Sequence, residues 1–253
     1  MKIGIIQLSD IHFKAHGNSF SAKEERLFDS IKNRLKEVEH CLLILSGDVA
    51  FSGKKEEYKI AETFLDKFIQ DIKAYCGIDV QLVLAPGNHD CFFDKEKESL
   101  RELALENFRR NGFGIIDNGI LQTCLEPQFN FFEFAAKYTG IKTNGDINSL
   151  FQAPIFLFGQ YKVQLNVYNT SWFSKLNEKP GSMAFPIAHF KDNWDYQRSN
   201  VVISVLHHPF NWLSPENARD FKNHIETTSD IVVSGHEHNP TKGSYSNLTG
   251  NYT

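Results

Sequence analysis

The chain has little with which to build disulfides, cross a membrane or coat a nucleic acid. Its four cysteines, Cys41, Cys76, Cys91 and Cys124, are widely spaced and form no CxxC pair, which predicts reduced thiols in a cytoplasmic protein rather than a disulfide framework. No apolar run approaches the roughly 20 residues of a membrane span. The run from Ile3 to Ile6, after Met1 and Lys2, is too short for a secretory h-region. Positive charge is not in excess: 27 Lys and Arg stand against 31 Asp and Glu, a net charge of −4. That excludes a broadly basic surface for nonspecific nucleic-acid binding, while a local patch or bound metals can still attract phosphates. Internal repeats and low-complexity tracts are absent too. What is present is 253 residues of 41% apolar content, ample for a single well-packed domain.

Six short runs rich in β-branched and aliphatic residues each end in a polar cluster: IGIIQLSDIH, CLLILSGD, VQLVLAPGNHD, VQLNVYNTS, VVISVLHHP and DIVVSGHEH. They read as buried strands. Residues 22–39 place Leu27, Ile31, Leu35 and Val38 at helical spacing, and residues 55–75 carry an apolar face of Tyr58, Ala61, Phe64, Leu65, Phe68, Ile69 and Ile72 that stops at Gly77. Alternation of strand and helix predicts parallel βαβ units. SPENARDFKNHIE repeats the pattern later, with Ser214 as N-cap and Pro215 at the first helical position. The charged run KKEEYK reads as the solvated face of a helix start. An insert at about residues 91–161 carries a further helix in KEKESLRELALENFRRNG and a cluster of Phe129, Phe131, Phe132 and Phe134; at this spacing such rings pack a core more often than they stack bases.

The strong polar clusters all fall just past predicted strand ends, where open α/β sheets place their ligand sites. Asp10 and His12 follow the first strand, Asp48 the second, and Asn88, His89 and Asp90 the third; His207 and His208 follow a later one, and His236 and His238 the last. Asp, His and Asn are oxygen and nitrogen donors, and no cysteine joins them, which suits Mn²⁺, Fe²⁺, Zn²⁺ or Mg²⁺. In extended chain, residues i and i+2 point to the same side about 6.6 Å apart, so the pairs Asp10/His12 and His236/His238 can each turn inward. These candidates are too many for one tetrahedral site and enough for two ions if one carboxylate bridges. His16, His40, His189 and His224 belong to no such cluster.

In order along the chain, DIH at Asp10, GD at Asp48, GNHD at Asn88, HHP at His207 and GHEH at His236 resemble the five blocks of the calcineurin-like metallophosphoesterases. The resemblance runs from Asp10 to His238 and implies a four-layer α/β/β/α sandwich of two mixed sheets flanked by helices. It implies one divalent metal held by Asp10, His12, Asp48 and His238, and a second by Asp48, Asn88, His207 and His236, with Asp48 as the bridge and manganese the leading choice. Two divalent ions carry four positive charges and two carboxylates cancel two, which leaves about +2 for the phosphoryl oxygens. By the same resemblance, a metal-activated hydroxide attacks phosphorus in line with the leaving oxygen. His89 protonates the leaving group or stabilises the transition state, and Asp90 orients His89 and raises its basicity. Asp90 as a structural loop cap is the alternative, and His208 reads as a supporting or packing residue.

The expected function is therefore a metal-dependent phosphoester hydrolase of a phosphodiester or a nucleotide. A two-metal nuclease is the alternative, and a non-catalytic binding module of the same fold the third reading. The GNHD form, with Cys91 and Phe92 after it, departs from protein phosphatases, which carry GNHE and a following arginine. Only 15 residues follow His238, room for one hairpin where the family has further strands. The expectation is a domain incomplete at its C-terminus, part of a longer chain.

Overall fold

The computed structural model describes residues 1–16, 24–190 and 199–238. The expected hairpin after His238 lies outside these residues. Strands β1 (Ile3–Leu8), β2 (His40–Ser46) and β3 (Val80–Ala85) form a parallel sheet in the order β1-β2-β3, linked by helices α1 (Glu24–Leu35) and α2 (Lys55–Cys76). Sidedness follows the strand period of two. Cys41, Leu43, Leu45, Leu82 and Leu84 pack against Tyr58, Phe64, Leu65, Phe68 and Ile72 of α2, whereas Leu42, Ile44, Val83 and Ala85 turn to a second sheet. Burial on both faces is why β2 reads as an unbroken apolar run. Each buried side chain is worth roughly 1.5–3 kcal/mol of transfer free energy, so a register slip that exchanged the faces would be opposed throughout.

The second sheet has the order β4-β6-β7-β8, from β4 (Phe151–Gln152), β6 (Tyr161–Tyr168), β7 (Val201–Leu206) and β8 (Ile231–Val233), with β5 (Ile155–Phe158) also pairing β6. β6, β7 and β8 are parallel, while β4 and β5 run antiparallel to β6. Val163, Leu165, Val167, Ile203 and Val205 meet the first sheet. Helix α6 (Pro215–Thr228) crosses from β7 to β8 and buries Phe221 against Tyr168 and Phe185 at ring distances of 5.0 and 4.9 Å. The layers are helices, sheet, sheet, helix.

Two local expectations are corrected. KKEEYK is not solvated throughout: Glu57 and Tyr58 are buried, and the Glu57 carboxylate accepts from Ser52 N (2.8 Å), Ser52 Oγ (2.8 Å) and Lys54 N (3.1 Å). It serves the unpaired N–H groups at the start of α2. Ser214 stands at the N-cap of α6, but its side chain makes no capping bond. The segment expected as an insert holds α3 (Glu98–Asn111), α4 (Asn118–Leu125), α5 (Phe129–Thr139), β4 and β5, of which α4 and both strands carried no clear sequence signal. Phe131, Phe132 and Phe134 on α5 are buried in the main core, the packing role. Buried Arg101 of α3 ties the segment down through Nε to Cys124 O (3.0 Å), Nη1 to Ser174 O (2.5 Å) and Nη2 to Trp172 O (3.1 Å).

Candidate metal centre

The loops that leave β1, β2, β3, β7 and β8 are laced together by their backbones. Asp10 N donates to Gly47 O (3.1 Å), His12 N to Asp48 O (3.0 Å), and Gly235 N to His207 O (3.1 Å). Asp10 (φ 55°), His12 (φ 55°), Asp48 (φ 56°) and His236 (φ 70°) are the described non-glycine residues in the left-handed region. Such backbone costs of order 1–3 kcal/mol per residue and persists where the surroundings enforce it, most often at functional sites. All four are expected ligands. The glycine before each of two ligands is sterically required: a Cβ on Gly47 would stand 2.2 Å from His207 Nδ1, and one on Gly87 2.1 Å from Asp48 Oδ1.

The seven expected ligands converge. Asp48 Oδ2 lies 3.4 Å from His207 Nε2 and 3.8 Å from His12 Nε2. His207 Nε2, His236 Nδ1 and Asn88 Oδ1 are mutually within 3.0–3.2 Å. Asp10, His12 and His238 offer donor atoms within 4.8 Å of one another, as do Asp10, Asp48 and His207. The Asp10 carboxylate is held by the backbone N–H of His236, at 3.1 Å from each oxygen. Asp48 is common to two groups, Asp10 with Asp48 and His207, and His12 with Asp48 and His89, and donors of these kinds suit divalent cations.

Electrostatics prepare the set. Burial lowers His12, and burial with the neighbouring His208 and His207 pushes His236 down to about 3, so both are neutral and ligand-ready. Burial alone would lower His207 as well, but the Asp48 carboxylate outweighs it and raises His207 to about 9. His207 in turn holds Asp48 below the usual carboxylate range against the cost of burial. His207 Nδ1 bonds Ser46 O at 2.9 Å, which keeps a proton on that nitrogen and turns Nε2 to the centre. A cation at Nε2 competes with the second proton.

Asp90 differs from the expectation that it orients His89. His89 Nδ1 bonds the carbonyl of Phe51 at 2.7 Å, and His89 N donates to Asp48 Oδ1 at 2.8 Å. The fully buried Asp90 carboxylate accepts instead from Ala50 N (2.8 Å), Gly87 N (2.9 Å), Tyr58 Oη (3.1 Å) and Val49 N (3.3 Å). It clamps the loop of Asp48 to the loop of Asn88, the loop-cap role. Desolvation and the Asp48 charge raise it to about 6, and its backbone donors oppose them. His208 has the supporting role: it is buried, and its ring nitrogens bond Thr170 Oγ1 and Glu178 Oε2, each at 3.1 Å. Thr170, Glu178 and Trp212, which packs edge-on against the His236 ring at 4.1 Å, are neighbours that no sequence motif marked.

Between residues 3 and 240 the chain matches the family described as calcineurin-like phosphoesterase. It is 24% identical to the uncharacterized metallophosphoesterase-like protein YydB of Bacillus subtilis (strain 168) over 261 aligned residues, which take in 99% of this chain and 51% of that protein. The chain thus spans about half the length of the curated relative it matches. Among the described residues, no helix is long and apolar enough to cross a membrane.

Proposed function

Since the chain belongs to the calcineurin-like phosphoesterase family, we propose that it is a two-metal hydrolase of phosphodiesters or nucleotides. The observation that carries this reading is the sharing of Asp48 between two donor sets, with Oδ2 3.4 Å from His207 Nε2 on one side and 3.8 Å from His12 Nε2 on the other. Asp10, His12, Asp48 and His238 would hold one divalent ion, and Asp48, Asn88, His207 and His236 the other, with Mn²⁺ the first choice and Fe²⁺, Zn²⁺ or Mg²⁺ next. When bound, such ions supply positive charge for the phosphoryl oxygens and lower the pKa of an attacking water.

The chain's own residues do the rest. With Nδ1 committed to the Phe51 carbonyl, His89 presents Nε2 as the proton carrier for the leaving oxygen. Asp90 acts through position alone, by fixing the loops that carry Asp48 and Asn88. Ser46 O and Trp212 set the rings of His207 and His236. The free, largely buried thiols, Cys41, Cys91 and Cys124 among them, fit a cytoplasmic setting.

Rates on bis(p-nitrophenyl) phosphate, cyclic nucleotides and single-stranded DNA with Mn²⁺ test the reading. The expected outcome is hydrolysis of the small diesters. Salt-sensitive cleavage of long DNA without activity on small substrates would replace it with a nuclease.

A further inference from the structure

The ring of Phe51 is 42% exposed beside the centre. Single exposed apolar residues are ordinary, but this one has unusual company. Its carbonyl holds His89 Nδ1, its ring lies 5.6 Å from the His89 ring at 37° and 6.1 Å from His12, and the Lys14 ammonium stands 4.1 Å over its face. Trp212, the aromatic packed on His236, is by contrast half-buried.

Building on the hydrolase reading above, we propose that Phe51 and Lys14 form the subsite for the leaving side of the substrate, and that this side carries a nucleobase. His89 is the proton carrier, so the bond that breaks joins phosphorus to an oxygen on its side of the centre. That oxygen takes the proton while water supplies the hydroxyl that ends on phosphorus. Whatever is attached to the leaving oxygen is therefore released next to Phe51. The exposed part of the Phe51 ring, beside the Lys14 cation, offers aromatic surface to a planar partner, and every base has a π-face to offer. Lys14 also adds positive charge beside the ring, which favours an anionic substrate.

The neighbouring chain packs against a cavity. Gly53 packs so closely on the backbone of Phe92 that a Cβ would stand 2.5 Å from Phe92 N, and its carbonyl accepts from Asn130 Nδ2 at 2.8 Å. Phe92 and Asn130, with Phe93 and Phe129, line a cavity of about 210 Å³. Phe92 is itself 42% exposed. This recess, which mixes aromatic side chains with charged ones such as Asp94 and Glu98, thus adjoins the loop of Phe51 through Gly53.

The test compares two dinucleotide diesters with Mn²⁺, one with a base on the leaving nucleoside and one abasic at that position. In Phe51→Ala, the ratio of kcat/KM for the base-bearing diester to that for the abasic one is expected to fall about tenfold, the size of one lost base–aromatic stack. Phe51→Trp should restore it. If the wild type cleaves both diesters and Phe51→Ala leaves the ratio unchanged, the subsite is wrong while the hydrolase stands. If the wild type cleaves neither, nor bis(p-nitrophenyl) phosphate, the hydrolase reading fails and the subsite with it.

Discussion

Asp48→Asn is expected to lower kcat/KM on a small phosphodiester by about 10³-fold or more, and to reduce bound divalent metal from about two ions per chain to one or none. The side chain is buried, and both oxygens are in use: Oδ2 faces His207 Nε2 and His12 Nε2, and Oδ1 accepts from His89 N at 2.8 Å. Asparagine keeps the shape and loses the charge. Its NH₂ must point either at the imidazole nitrogens or at the His89 N–H, and neither placement leaves a bridge. With Asp10 the one remaining carboxylate, two dications would leave a site of about +3, too much for the second ion to enter. Steady-state rates and elemental metal analysis of the same preparation check this. Wild-type activity with both ions retained in Asp48→Asn would refute catalysis at this centre.

Asp90→Asn is expected to act first on stability. Three backbone N–H groups and the Tyr58 hydroxyl converge on the Asp90 carboxylate. An amide offers one acceptor oxygen to these donors and turns its own NH₂ against the others. Leaving buried donors unpaired costs about 1–3 kcal/mol each, and at roughly 2–4 °C per kcal/mol for a domain of this size the melting temperature falls by about 10 °C. Activity falls too, because Asp48 and Asn88 sit on the two clamped loops. Thermal unfolding followed by circular dichroism separates the roles. An unchanged melting temperature with a collapsed kcat would mean that Asp90 works on the chemistry and not on the loops.

Much of the architecture is legible because β2, β3 and β7, which lead to Asp48, Asn88 and His207, are largely buried, while the edge strands β1 and β8 are short, partly exposed apolar runs. Runs such as CLLILS admit few other readings, and the donors follow each run at once, before the chain turns away. Helix α2 is as clear, since its apolar face keeps helical spacing up to Gly77. What escapes the sequence depends on contacts between distant residues. Asp90 follows His89, yet the turn after Gly87 sends its carboxylate back to the Asp48 loop, and the partner of His89 is Phe51, 38 residues earlier. Glu57 sits in a charged run and is buried because the N–H groups of Ser52 and Lys54 need an acceptor there. Strands β4 and β5 are short and exist through their pairing to β6, which no local pattern announces.

The central claim is that two cations act together across Asp48. Chelator-stripped protein titrated with Mn²⁺, with bound metal and the rate on bis(p-nitrophenyl) phosphate read at each addition, tests it most directly. The rate should stay low while the first ion per chain binds and reach its plateau only as the second is taken up; full activity with one ion bound, or with none, would contradict it.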